Sequence, residues 1–176
     1  MAGAGELTVW TAALNLPGHE VVHVGEVDGG LEFSVVPLAL VGVCPDCSRA
    51  TGHVHQQRWT ENVVDLPLGG REVRLKVRAV QFRCETCDRI WTPPSPVLAP
   101  GASATERFVA KAAACVRRSD VAAAAALFGV PEKTLEGWYY AHAERQEAGR
   151  ERDAQPIRSI GIDELSLKKS TGSSSP

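Results

Sequence analysis

The sequence predicts an α+β chain in which a β-rich, turn-rich part is followed by an all-helical part. Three observations carry this expectation. Apolar, β-branched runs broken by Asp-Gly-Gly and Gly-Gly turns fill the chain up to Arg83. Four of the five cysteines form two identical C-x-x-C pairs within the same part. Past a proline cluster (Pro93, Pro94, Pro96 and Pro100), the composition turns Ala-rich with helical spacing of its apolar residues.

A chain of 176 residues has room for one ordinary domain or two small ones. Its 44% hydrophobic and 23% charged residues exclude a disordered polymer. The start, Met1 to Trp10, has no basic n-region or apolar h-region. No stretch approaches the roughly 20 apolar residues needed to span a bilayer. The expectation is a cytoplasmic protein without a membrane partner. The net charge of −2 conceals a gradient. Met1 to Val43 holds five acids and no Lys or Arg, whereas Cys44 to Arg118 holds 12 Lys/Arg against 7 Asp/Glu. Such separation permits phosphate binding over part of a surface and is weak evidence alone.

In chain order, Leu7 to Leu16 suits a short opening helix closed by Pro17-Gly18. Val21 to Val27 and Leu31 to Leu40 then flank Asp28-Gly29-Gly30, a hairpin signal. A second hairpin is expected from Glu61 to Leu68 and Arg71 to Arg83, joined by Gly69-Gly70. In its second strand Val73, Leu75, Val77 and Ala79 share one face, and Arg74, Lys76 and Arg78 share the other. The phase flips at Ala79-Val80, which calls for a bulge or for burial of both faces. The prolines forbid regular structure in the next segment and mark a boundary. Helices are expected over Thr105 to Arg118, Asp120 to Phe128 and Glu132 to about Glu147. Ser119 or Asp120 would serve as an N-cap and Gly129 as a terminator.

The expected organisation is a β-rich zinc-binding domain over 1–100, a helix-turn-helix domain over 103–150, and a further strand within 157–176. The pairs Cys44-Pro45-Asp46-Cys47 and Cys84-Glu85-Thr86-Cys87 let both sulfurs of each pair turn toward one point. Two such turns facing each other make a tetrahedral four-thiolate cage, with Zn–S of about 2.3 Å. Structural Zn²⁺ is therefore the expected cofactor, held by Cys44, Cys47, Cys84 and Cys87.

Rivals fit less well. A rubredoxin-like iron centre lacks its flanking glycines and aromatics, and a thioredoxin-type C-x-x-C needs a following helix that Pro93-Pro94 would stop. Disulfides need an oxidising compartment. His53 and His55 are near enough for a C₂H₂-like scheme, but four thiolates already complete the shell. A first part this rich in turns is marginal on burial alone, and structural zinc contributes roughly 10–16 kcal/mol in small metal-folded peptides. Cys115, on the apolar side of an Ala-rich helix, reads as a buried structural thiol.

Val121 to Tyr140 carries the pattern of a helix-turn-helix: small Ala125 at the crossing, Gly129 in the turn, and Ala124, Phe128, Val130, Leu135 and Trp138 as the buried set. Pro131 suits the start of the second helix. That helix would lie in the major groove of double-stranded DNA with Lys133, Thr134, Gly137 and Tyr140 on its outer face. Glu132 and Glu136 share that face; Glu accepts from cytosine N4 but repels phosphate. The competing interpretation is a three-helix packing unit with no DNA role. The face of Arg74, Lys76 and Arg78 is a further candidate for phosphate contact, against an ordinary solvated strand face.

Near the end, Ile157 to Ile162 is an apolar run leading to Asp163-Glu164, as in a strand that delivers a carboxylate. The order of a Cys₄ segment, a helix-turn-helix and this strand resembles the N-terminal half of bacterial insertion-sequence transposases of the ISL-three family. The resemblance runs from Leu16-Pro17-Gly18 to Lys169. It includes the CPxC knuckle at Cys44 to Cys47, Asp65-Leu66-Pro67 before Gly69-Gly70-Arg71, Phe82-Arg83-Cys84, and Gly161-Ile162-Asp163-Glu164-Leu165-Ser166.

The resemblance implies a DDE transposase whose zinc domain and helix-turn-helix bind the terminal inverted repeats of the element. Three carboxylates of an RNase H-like core would hold two Mg²⁺ ions for strand cleavage and transfer, and Asp163 matches the first of them. The sequence departs from the family after Lys168-Lys169, where Ser170 to Pro176 replaces the expected continuation. The expectation is a truncated stub of the catalytic core that retains DNA binding and is no enzyme as an isolated chain. A homodimer, or a mixed dimer with an intact transposase, is a partner the resemblance admits. The alternative is a stand-alone zinc-ribbon and helix-turn-helix transcriptional regulator or assembly adaptor.

Overall fold

The computed structural model describes residues 4–153. Asp163 and the expected strand within 157–176 lie outside the described residues. The opening helix, α1 (Ala4–Leu14), ends where Asn15 turns left-handed at φ 46°, the usual way to satisfy last-turn carbonyls. It packs on the first hairpin through Trp10, whose ring lies 5.4 Å from that of Phe33. Thr11 Oγ1 also accepts a hydrogen bond from the Val21 amide at 2.9 Å.

The first hairpin is β1 (His19–Val27) and β2 (Gly30–Pro37), turned at Asp28-Gly29 with φ of 52° and 79°. Two residues at positive φ are the signature of a type I′ turn, whose twist suits adjoining strands. β3 (Gly42–Val43) and β4 (Ala50–Thr51) form a small ribbon around the first cysteine pair. The long hairpin follows as β5 (Val54–Leu68) and β6 (Arg71–Arg83), again turned by two left-handed residues, Gly69 and Gly70. β7 (Ile90–Trp91) returns antiparallel to the end of β6.

The sheet order is β1-β2-β6-β5, with β7 also on β6. The join between the hairpins is parallel, running from Leu31↔Val73 to Val35↔Val77. Its inward side chains, Phe33, Val35, Val63, Val73, Leu75 and Val77, are essentially without solvent contact and close under α1. Each such side chain is worth roughly 1.5–3 kcal/mol of burial.

The phase flip at Ala79-Val80 has a definite origin. Pairing between β5 and β6 is continuous from Thr60↔Val77 to Gln56↔Gln81, so β6 does not bulge there. Val80 and Phe82 instead bury on the opposite face. Phe82 lies against Gly42 and Trp91, with ring centroids 5.8 Å apart in the aromatic pair. The burial of both faces is thus the alternative that holds.

The helices are α2 (Glu106–Val116), α3 (Val121–Phe128) and α4 (Glu132–Asp153). Thr105 caps α2 by accepting from the Phe108 amide, and Asp120 caps α3 by accepting from the Ala123 amide at 2.7 Å. Gly129 ends α3 at φ 64°. Pro131 stands immediately before α4, its carbonyl accepting from the Thr134 and Leu135 amides. The three helices close on Phe108, Val109, Ala124, Ala125, Val130 and Leu135, with Phe128 and Trp138 half-buried at the margin. Glu106 of α2 faces His142 and Arg145 of α4 at 3.3 and 3.7 Å. Cys115 is half-buried rather than buried, 3.9 Å from Ser119 Oγ.

The helices are tied to the sheet by one polar cluster. Asp65 of β5 is fully buried and accepts from Thr105 Oγ1 at 2.7 Å and from Arg107 Nε at 2.8 Å. Arg107 Nη2 completes a bidentate grip on the carboxylate, and Nη1 reaches the Leu14 carbonyl at the end of α1. Beside it, the Val64 amide donates to the Ser103 carbonyl and the Thr105 amide donates to the Val64 carbonyl.

Candidate metal centre

The two cysteine pairs fold into matching knuckles. In the first, the Cys44 amide donates to the Arg49 carbonyl at 2.8 Å and the Ser48 amide to the Cys44 carbonyl at 2.9 Å. In the second, the Cys84 amide donates to the Arg89 carbonyl at 2.8 Å and the Asp88 amide to the Cys84 carbonyl at 3.0 Å. Each knuckle turns on a left-handed residue just after its second cysteine, Ser48 at φ 58° and Asp88 at φ 62°. Polar Ser and Asp at these positions carry no mark in the sequence beyond their place after C-x-x-C.

The long β5–β6 hairpin brings the knuckles face to face. Sγ of Cys44 lies 3.6 Å from that of Cys87, and Sγ of Cys47 lies 3.5 Å from Cys84 and 3.8 Å from Cys87. All four sulfurs fall within 4.8 Å of one another. A tetrahedral ion with metal–sulfur bonds of about 2.3 Å requires sulfurs about 3.8 Å apart. The spacing and the all-thiolate donor set therefore fit zinc. His53 and His55 are exposed and outside this cluster, which is the one group of potential metal ligands among the described residues.

The surroundings act unevenly on these thiols, lowering Cys84 and raising Cys47 and Cys87. Amides of Cys87 and Thr86 aimed at Cys84 lower its thiol to about 6. At Cys87 the Arg89 amide acts in the same direction, but loss of solvation and the neighbouring sulfurs of Cys44, Cys84 and Cys47 outweigh it and push the thiol up to about 12. Four thiols without a cation cannot all ionise at this spacing, and a divalent ion removes that obstacle. Around the centre, Arg83 holds Asp88 through two hydrogen bonds of 2.6 and 2.9 Å, and Arg89 faces Asp46 of the other knuckle at 3.7 Å. The first cysteine of each pair is buried and Cys87 is exposed, so the site lies at the surface.

The other sequence-predicted residues fall in two places. Arg74, Lys76 and Arg78 share the outer face of β6, and each already has a partner. Arg74 meets Glu72 at 3.6 Å, Lys76 meets Glu32 at 3.1 Å, and Arg78 stacks 4.3 Å from the Trp59 ring centroid. Lys133, Thr134, Gly137 and Tyr140 are all exposed on α4, with Glu132 and Glu136 among them. Among the described residues no helix is long and apolar enough to cross a membrane.

Two opposed C-x-x-C knuckles mounted on short β-ribbons define a four-thiolate zinc-ribbon-like centre. The comparison with known families agrees: residues 40–87 match the zinc-finger of transposase IS204/IS1001/IS1096/IS1165, a match that spans less than a third of the chain. No curated protein and no solved structure matches.

Proposed function

We propose that this chain is the DNA-binding part of a transposase of the ISL-three kind, recognising the terminal inverted repeats of its element. The observation that carries the proposal is the match of residues 40–87 to a transposase zinc-finger, over a segment whose four sulfurs converge as a zinc site requires. The helical part supports it. α3, the left-handed Gly129 and α4 follow one another in the order a helix-turn-helix reading requires, and α4 offers Lys133, Thr134, Gly137 and Tyr140 to solvent from its first three turns. On the sheet, the partners of Arg74 and Lys76 are exposed or half-buried carboxylates, so those pairs are worth little and can be exchanged for phosphate.

In this reading zinc fixes the ribbon and does no chemistry, while α4 reads base edges. Strand cleavage with Mg²⁺ belongs to the family's whole catalytic core, to which Asp163 would contribute the first carboxylate. The function proposed for this chain is binding.

The test is selection of duplexes from a random-sequence pool by the zinc-loaded protein. A defined sequence should be enriched, and Lys133→Ala or Thr134→Ala should weaken or relax its recognition by about tenfold. Failure to enrich any sequence, or enrichment indifferent to these substitutions, overturns the proposal. Location of the enriched sequence at a promoter rather than at repeat ends would favour a regulator.

A further inference from the structure

Between the end of the β2 ladder at Val77 and the start of the β7 pairing at Phe82, β6 is bonded to β5 alone. Here the two strands pair without a third, with Gln56↔Gln81, Gln57↔Val80, Arg58↔Ala79 and Trp59↔Arg78 directly opposed and Val80 the one buried residue among them. Neither hydrophobic core includes a residue of β5 before Val63. From His55 to Asn62 every residue of the strand is exposed. Ordering each such residue costs about 1–2 kcal/mol of backbone entropy.

The ribbon has a distinct chemistry. Residues 54–60 and 77–83 contain Arg58, Arg78 and Arg83 and no carboxylate. Of the three, Arg83 alone is tied to an acid, Asp88. Opposed residues share a face, so Gln56, Arg58 and Gln81 stand together on one side. The Gln56 amide oxygen already accepts from Arg58 Nη2 at 2.8 Å, which orients the guanidinium. On the other side Arg78 is held over Trp59 and donates to Gln57 Oε1 at 3.1 Å, bracing the ribbon.

We propose that this ribbon is a second DNA-contact element, entering the major groove of duplex DNA with Gln56, Arg58 and Gln81 toward the base edges. The proposal rests on the DNA-binding reading above and adds an element that the helices do not supply. The major groove admits a two-stranded β-ribbon as readily as a helix. Arg offers a bidentate match to guanine O6 and N7, and Gln to adenine N6 and N7. A cationic surface free of carboxylates is complementary to the phosphates that line the groove.

The experiment uses the zinc-loaded full chain and the duplex recovered by random-sequence selection. Guanine-N7 methylation interference and fluorescence anisotropy are compared for wild type, Arg58→Ala, Arg58→Lys and Lys133→Ala. The wild type should show two separate blocks of base contacts. Arg58→Ala should lose one block, with affinity falling about tenfold or more. Arg58→Lys should keep the salt dependence but tolerate base changes in that block. Lys133→Ala should leave that block intact and disturb the other. Arg58 is exposed, and zinc content and circular dichroism confirm that each variant is folded. If folded Arg58→Ala selects the same sequence with the same affinity as wild type, the ribbon proposal fails while the DNA-binding reading stands. If the wild type selects no duplex and binds only RNA or a protein, both fall.

Discussion

Replacing Arg107 by Ala should be among the most damaging single changes outside the metal site. The side chain grips Asp65 with two nitrogens and the Leu14 carbonyl with a third, so it joins β5, α2 and the end of α1. Its loss leaves a carboxylate with no solvent exposure and only Thr105 Oγ1 as a side-chain partner. Removing one partner of a buried pair typically costs about 3–5 kcal/mol. Arg107 itself is 34% exposed, which places the effect toward the lower end, about 3 kcal/mol.

The reverse change, Asp65→Ala, leaves a cation that already reaches water and should cost less. The pair is thus asymmetric. Urea unfolding of the zinc-loaded chain, followed by tryptophan fluorescence and far-UV circular dichroism, measures both variants. The double variant should show strong non-additivity, since its two residues share one interaction. An Arg107→Ala cost below about 1 kcal/mol, the scale of a surface ion pair, would mean that Asp65 does not depend on this partner.

Further changes test other parts of the structure. Phe33→Ala removes a fully buried ring from under α1 and should cost about 3–5 kcal/mol in the same unfolding assay. Gly42→Ala places a Cβ 2.7 Å from the Phe82 ring, which is wedged against Trp91. It should loosen the first knuckle, seen as about 1–3 kcal/mol of destabilisation and faster zinc loss to a chelator. Zinc uptake must displace protons, from Cys87 above all, so affinity should rise with pH through neutrality and loading at pH 7 should release acid in a pH-stat. The Arg83 guanidinium holds Asp88 below the usual carboxylate range, so its stabilising effect is present at neutral pH and lost as pH falls through that lowered value. Asp88→Asn should accordingly differ from wild type at pH 7 and converge with it in acid.

The local devices were legible in the sequence and the long-range ones were not. Asp28-Gly29 and Gly69-Gly70 announce their turns because two adjacent left-handed residues demand such side chains. The C-x-x-C spacing likewise announces the four sulfurs, and Asp120 and Gly129 the ends of α3. The parallel pairing of β2 with β6 left no mark, since both strands alternate in a way that any partner would satisfy. The first half of β5 was missed for a different reason. Periodicity reveals a strand through its buried face, and His55 to Asn62 have none, so the strand was expected only from Glu61. Nothing in the sequence pairs Asp65 with Arg107 either, although Asp65 stands in the Asp65-Leu66-Pro67 motif that carries part of the family resemblance.

X-ray absorption at the zinc edge of the purified chain, with metal quantified on the same sample, decides whether the four cysteines hold zinc. The expected result is one zinc per chain with four sulfur neighbours at about 2.3 Å and no nitrogen. A mixed sulfur–nitrogen shell would bring His53 or His55 into the site, and iron or no bound metal would remove the zinc ribbon on which the functional proposal stands.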